Sequence, residues 1–180
     1  MLFRSVEFDP LTQALPAQTA ALVLPGGFPE QHLADLSANA ELRAQIRELA
    51  RYAPVQAECG GLAYLMDDLD GHPMCGVLAG SARFTQQLTL GYREAVALSE
   101  SSLHVAGQRV VGHEFHRTAA EFVGGVQPAW AFRLPDGQPA TDGAVYGGVH
   151  ASYLHTHPVA SPRSVARFVE HAASFTKLGR

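Results

Sequence analysis

The sequence predicts an α/β protein: a mostly parallel sheet with helices on both faces, carried on into an antiparallel extension. Three observations predict it. Through the first half, short apolar runs alternate with helix-period stretches, the order that parallel strands joined by crossover helices require. Residues 71–134 replace that rhythm with glycine-punctuated, strand-like pieces. The last stretch returns to a helical pattern behind a capping signal.

Each element has its own signal. Ala20 to Leu24 reads as a buried strand stopped by Pro25-Gly26-Gly27. Leu36 to Tyr52 reads as one helix, with Leu42, Ile46 and Leu49 on a single face and Ser37 as its N-cap. Pro54 to Glu58 is a second short strand, and Gly60 to Leu69 a helix with Leu62, Leu65 and Leu69 inward. Arg109 to Phe115 and Gly143 to Leu154 carry strand signals. Gln127 to Thr141, rich in Pro, Gly and Gln, reads as a surface loop. Ser161-Pro162 opens the last helix as N-cap and first-turn proline, ahead of an apolar face of Val165, Phe168, Val169 and Ala172.

Composition narrows the class. The 180 residues are 47% hydrophobic and 17% charged, with a net charge of −4. That is a globular chain long enough for one domain, residues 1–180, and not a disordered one. No basic block offers itself to a phosphate backbone, so no nucleic-acid partner is expected. No apolar run approaches membrane-spanning length and the N-terminus has no apolar signal core. A cytoplasmic location follows as the expectation, with Cys59 and Cys75 as free thiols.

Cys59 is the most informative residue. A strand runs into Cys59-Gly60-Gly61 and a helix follows at once. A residue on such a turn is strained and projects above the sheet edge. Helix N-terminal amides next to the sulfur favour the thiolate. Strand alternation should aim Glu58 away from it. A buried structural cysteine is the alternative reading, and it is the stronger one for Cys75. The glycine turn at Gly26-Gly27-Phe28 could lend an amide, from Gly27 or Phe28, to an oxyanion hole shared with Gly60. Late in the chain, Leu154-His155-Thr156-His157 supplies imidazoles that could act as a base for the thiol. His113, Glu114 and His116 are further candidates. Together with His155 or His157, these histidines could instead hold zinc, although two neighbouring ligands normally need a third. His32, His72, His104, His150 and His171 are expected at the surface.

Five strings occur in one order: LPGGFPE (Leu24 to Glu30), AECGGLAYL (Ala57 to Leu65), LGYREA (Leu90 to Ala95), GHEFH (Gly112 to His116) and ASYLHTH (Ala151 to His157). In that order they resemble the class I, triad-type glutamine amidotransferases. More narrowly, the chain is similar to the glutaminase domain of the cobyrinic acid a,c-diamide synthases. The resemblance implies a flavodoxin-like fold with Cys59 as nucleophile, His155 as base and then acid, and Gly27 and Gly60 amides as oxyanion hole. It implies glutamine as substrate. The ammonia would serve ATP-dependent amidation of the a and c carboxylates of cobyrinic or hydrogenobyrinic acid, a corrinoid reached through a synthetase domain or subunit.

The chain departs from that pattern twice. The position of the usual triad acid holds His157, which leaves Glu114 or a backbone carbonyl to orient His155, and His157 as an alternative base. No phosphate loop G-x-x-x-x-G-K-[ST] is present. ATP and Mg²⁺ are therefore expected in an N-terminal synthetase domain outside this chain, and no cofactor or metal within it. The chain also looks as if it lacks the family's first strand, which would leave a sheet edge open to self-association as a homo-oligomer. A non-catalytic, degenerate glutaminase kept for its contacts is one further alternative, and another thiol-elbow enzyme such as a peptidase of similar fold is another.

Overall fold

The computed structural model describes residues 4–178. In chain order its strands are β1 (Leu22–Leu24), β2 (Val55–Glu58), β3 (Met66–Leu69), β4 (His72–Pro73), β5 (Leu78–Ala97), β6 (Arg109–Phe122), β7 (Trp130–Arg133), β8 (Pro139–Asp142), β9 (Ala144–Tyr146), β10 (Val149–Ser152) and β11 (His155–Thr156). The α-helices are α1 (Leu33–Ala38), α2 (Ala40–Leu49), α3 (Gly60–Leu65) and α4 (Pro162–Leu178), with one 3-10 turn at Pro29–Gln31.

Two sheets share the chain. The smaller has the order β1-β2-β10-β9, parallel across its first three strands and antiparallel at β9. The larger is built on the β5–β6 hairpin, with β11 on the free side of β6, β3 and β7 on β5, β4 beyond β3 and β8 beyond β7. The α/β class stands, and the extension is a second, larger and mostly antiparallel sheet in which β3 alone pairs with β5 in parallel. One buried face of short strands explains the parallel core: Leu22, Leu24, Val55, Ala57, Val149 and Ala151, at alternate positions, are all buried. Trp130, Phe132, Val110, Ala95 and Leu154 form a second core in the larger sheet.

Local expectations are corrected at several places. The helix expected over Leu36 to Tyr52 is broken at Asn39, whose φ of −75° and ψ of 66° are not helical. Asn39, not Ser37, caps α2, its side chain accepting from the Leu42 amide at 3.3 Å. The same side chain donates to Pro10 O and Gln13 O at 3.0 and 2.9 Å, so the break also tethers the preceding segment. Leu42, Ile46 and Leu49 do face the core. Next, α3 stops at Leu65, and Met66–Leu69 continues as a strand because its carbonyls and amides pair with β4 and β5. The region 127–141 is not a loop throughout: β7 and β8 pair there, and Trp130 is fully buried. Finally, 143–154 holds two strands, turned back at Gly147 (φ 56°). In α4, Phe168 and Ala172 are buried as expected, but Val165 is 43% exposed and Ser164 takes the inward position.

Candidate active site

Cys59 stands between β2 and α3 with φ 51° and ψ −105°, a conformation that side-chain-bearing residues rarely adopt. It is the sharp strand-to-helix turn that the sequence indicates. Two partners hold it there. Its amide donates to Ser152 O at 2.8 Å, tying it to β10, and its carbonyl accepts from Ala63 N at 3.2 Å inside α3. The sulfur lies 3.8 Å from Phe115 O on β6. The nucleophile candidate therefore sits at the seam between the two sheets.

His155 approaches from the other sheet. β11 pairs with β6 so that His155 faces His113, and the two rings stack at 5.0 Å with 15° between their planes. His155 and Cys59 crowd the same spot beside Gly26, and His155 Nδ1 lies 3.4 Å from Glu58 Oε2. These two partners, Cys59 first and Glu58 second, outweigh burial and push the imidazole up to about 9. Glu58 is itself held: its Oε1 accepts from Thr156 N, Thr156 Oγ1 and Gln56 Nε2, each at 3.2 Å. The histidine thus has a carboxylate on Nδ1 and the thiol as its other partner, the thiol–imidazole–carboxylate order of an activated nucleophile.

Glycines make room for this contact. A Cβ placed on Gly26 would lie 2.5 Å from His155 Cε1 and 3.5 Å from Cys59 Cβ. A Cβ on Gly60 would lie 3.1 Å from Gly27 N. The two residues expected to supply the oxyanion hole are therefore side by side. The Gly27 position opens to free space, and no hydrogen bond engages the Gly27 or Gly60 amide among the described residues. Two free amides next to a thiol can stabilise an anionic tetrahedral oxygen.

Other expected members fall elsewhere. Glu114 does not orient His155. It is buried, with Oε2 2.6 Å from Arg93 Nε and Oε1 3.5 Å from His116 Nε2. Strand alternation explains this: Glu114 and His116 leave one face of β6, while His113 leaves the face on which His155 stacks. His157, the alternative base, is engaged elsewhere. It is exposed, and its Nδ1 accepts from Val159 N at 3.2 Å. The four histidines considered for zinc do not converge, and no group of three His, Cys, Asp or Glu able to hold a metal occurs among the described residues. Cys75 is buried, and burial pushes its thiol up to about 12. His104 and His150 are buried against Trp130 and not at the surface.

Glu58 is the residue that sequence reasoning missed. Its signal was its place directly before the cysteine. The strings LGYREA and GHEFH also prove to be one structural unit, because β5 and β6 bring Arg93 onto Glu114.

Known proteins resemble this chain over most of its length. The family model for the CobB/CobQ-like glutamine amidotransferase domain matches residues 3–162. The chain is 64% identical over 172 residues to the hydrogenobyrinate a,c-diamide synthase of Mycobacterium tuberculosis (strain ATCC 25618 / H37Rv), covering 95% of this chain and 38% of the relative. It is 56% identical to the enzyme of that name from Streptomyces coelicolor, covering 92% and 34%, and 38% identical to the cobyrinate a,c-diamide synthase of Synechococcus sp., covering 97% and 40%. The chain thus spans little more than a third of the curated relatives it matches. Among solved structures, a glutamine amidotransferase superposes with a TM-score of 0.64 at 22% identity, covering 87% of this chain and 81% of that one. A glutamine amidotransferase from Thermotoga maritima gives 0.56 at 17% identity, covering 93% and 69%, and supports the fold alone. A cysteine elbow backed by histidine and glutamate, on a fold shared with these proteins and within a matched span of most of its length, places this chain in the CobB/CobQ-like glutamine amidotransferase domain family.

Proposed function

We propose that this chain hydrolyses glutamine at Cys59 and releases ammonia for amidation of the a and c carboxylates of a hydrogenobyrinic or cobyrinic acid acceptor. One observation carries the reading: Cys59, strained at φ 51°, and a His155 that Glu58 holds by Nδ1 meet beside Gly26. The corrinoid acceptor comes from the names of the relatives.

The chemistry follows from the positions. The thiolate adds to the side-chain amide carbon of glutamine, and the carbonyl oxygen becomes an oxyanion against the Gly27 and Gly60 amides. The His155 imidazolium gives its proton to the amide nitrogen. The C–N bond breaks, ammonia leaves and a thioester remains. Neutral His155 then takes a proton from water, which attacks the thioester; the sulfur departs and glutamate is released. Glu58 keeps the ring in one orientation and stabilises its charged form. ATP and Mg²⁺, which would activate the acceptor carboxylates, belong in this reading to the part of the relatives that the chain does not span. We place the reaction in the cytoplasm, where Cys59 and Cys75 remain thiols, as they are here.

The test is glutamate release from L-glutamine by the purified chain, with labelling of Cys59 by an electrophilic glutamine analogue. Cys59→Ala and His155→Ala should each reduce turnover by about 10³-fold or more. A folded wild-type chain that neither releases glutamate nor takes the label sinks the reading.

A further inference from the structure

We propose that Asp142 is a positioning residue for this site: its carboxylate fixes the turn at Tyr153 and Leu154 that carries His155 to Cys59. The inference rests on the glutaminase reading and adds a residue that none of the five sequence strings contains.

The contacts are specific. Asp142 ends β8, and both of its oxygens are used: Oδ1 accepts from Tyr153 N at 3.2 Å and Oδ2 from Leu154 N at 3.0 Å. The segment it grips joins the two halves of the site. One residue earlier, Ser152 O accepts from the Cys59 amide at 2.8 Å, and Ser152 Oγ donates to Leu154 O at 3.0 Å. One residue later, His155 enters β11 and pairs with His113. Leu154 is fully buried in the core that contains Trp130. The chain therefore passes from Cys59's anchor to His155 in three residues, and Asp142 supplies the acceptors for both amides in between. Small displacements of a base from its nucleophile cost large factors in rate, so a carboxylate that sets this turn sets catalysis.

The surroundings give the carboxylate a pH response. Burial is the largest influence and pushes Asp142 up to about 6, against the pull of the two amides. From β6, Glu114 adds to the rise and His116 opposes it, and Arg93 on β5 partly neutralises Glu114. A protonated Asp142 gives up one acceptor and leaves one of the two amides unmatched. Asp142 also borders a cleft of about 640 Å³, with Glu114, His116, Thr141 and Tyr153, which gives small anions a way in.

Asp142→Asn keeps the shape and one acceptor. We expect its kcat to fall roughly tenfold or more with KM for glutamine nearly unchanged; wild-type kcat should decline as pH drops through about 6, and in the variant that decline should vanish. Formate should restore turnover to Asp142→Ala but add nothing to wild type. A folded Asp142→Asn with the wild-type kcat and pH profile overturns the proposal. Hydrogen exchange on the wild-type chain decides the matter even if the variants do not fold. The protection factors of the Tyr153 and Leu154 amides should drop at least about tenfold between pH 7 and 5, while those of Val149 and His150 hold. Unchanged protection at 153 and 154 overturns it. Wild-type glutamate release, measured alongside, reports separately on the glutaminase reading. Its absence sinks that reading, whereas wild-type activity with an unaltered Asn variant sinks only the role of Asp142.

Discussion

Glu58 and Cys59 leave the backbone on consecutive residues, yet both reach the same imidazole. In an unbroken strand they would point to opposite faces. The positive φ at Cys59 ends the alternation, which is why the acid was not legible beside its nucleophile while Cys59, Gly60 and His155 were. Glu58→Gln should lower kcat about 10²-fold. It should also move the alkaline limb of the rate profile to lower pH. The sign follows from the raised His155 value: the imidazolium persists below about 9 and is lost above it, so ammonia departure slows on the alkaline side. Without the carboxylate the ring deprotonates earlier. A stopped-time glutamate assay across pH measures both effects, and an unmoved alkaline limb would contradict the pairing. Gly26→Ala is the complementary case. Its new methyl meets His155 Cε1 at 2.5 Å, so turnover should fall by about 10²-fold while far-UV circular dichroism stays unchanged.

At the scale of elements, the division of one expected helix at Asn39 shows what periodicity cannot register. Leu42, Ile46 and Leu49 keep their spacing whether or not a turn precedes them, and the deciding contacts, Asn39 to Pro10 O and Gln13 O, come from a segment with no periodic signal. Asn39→Ala removes both the α2 cap and that tether. It should cost about 1–2 kcal/mol, read as a lower urea midpoint with an unchanged slope, and leave kcat intact. The β7–β8 pair was hidden for a different reason. Its Pro and Gly content marks turns, and the strands between them are only four residues long. Trp130 was the one local hint that this segment reaches the core.

Across the whole molecule, the site exists because two sheets meet. Cys59 follows β2 of the smaller sheet and His155 lies on β11 of the larger, so neither sheet contains the chemistry alone. The class and the order of strings were readable from the chain, but the meeting of the sheets depends on long-range pairing between β11 and β6. Global stability should carry a signature of the buried histidines. Burial lowers His104 to about 4 and His150 to about 3. Both lie below the unfolded value of about 6.5, so their neutral forms support the fold above that pH and the support is lost as pH falls toward 4. Each contributes a slope of up to roughly 1.4 kcal/mol per pH unit in that window. His155 acts in the opposite direction, its support present below about 6.5 and lost as pH rises through about 9. Asp142, raised to about 6, offsets part of the acid loss. Urea midpoints should therefore peak between these limits, and a flat profile from pH 4 to 7 would count against neutral, buried His104 and His150.

The backbone angle at Cys59 sets stability against reactivity. Glycine adopts φ 51° without penalty, whereas a side chain there costs on the order of 1–3 kcal/mol. Cys59→Gly should melt at a higher temperature than Cys59→Ala, although both lack the thiol. The most durable form of this polypeptide is then a chemically inert one, and the working protein keeps its sulfur at the expense of its own resistance to heat.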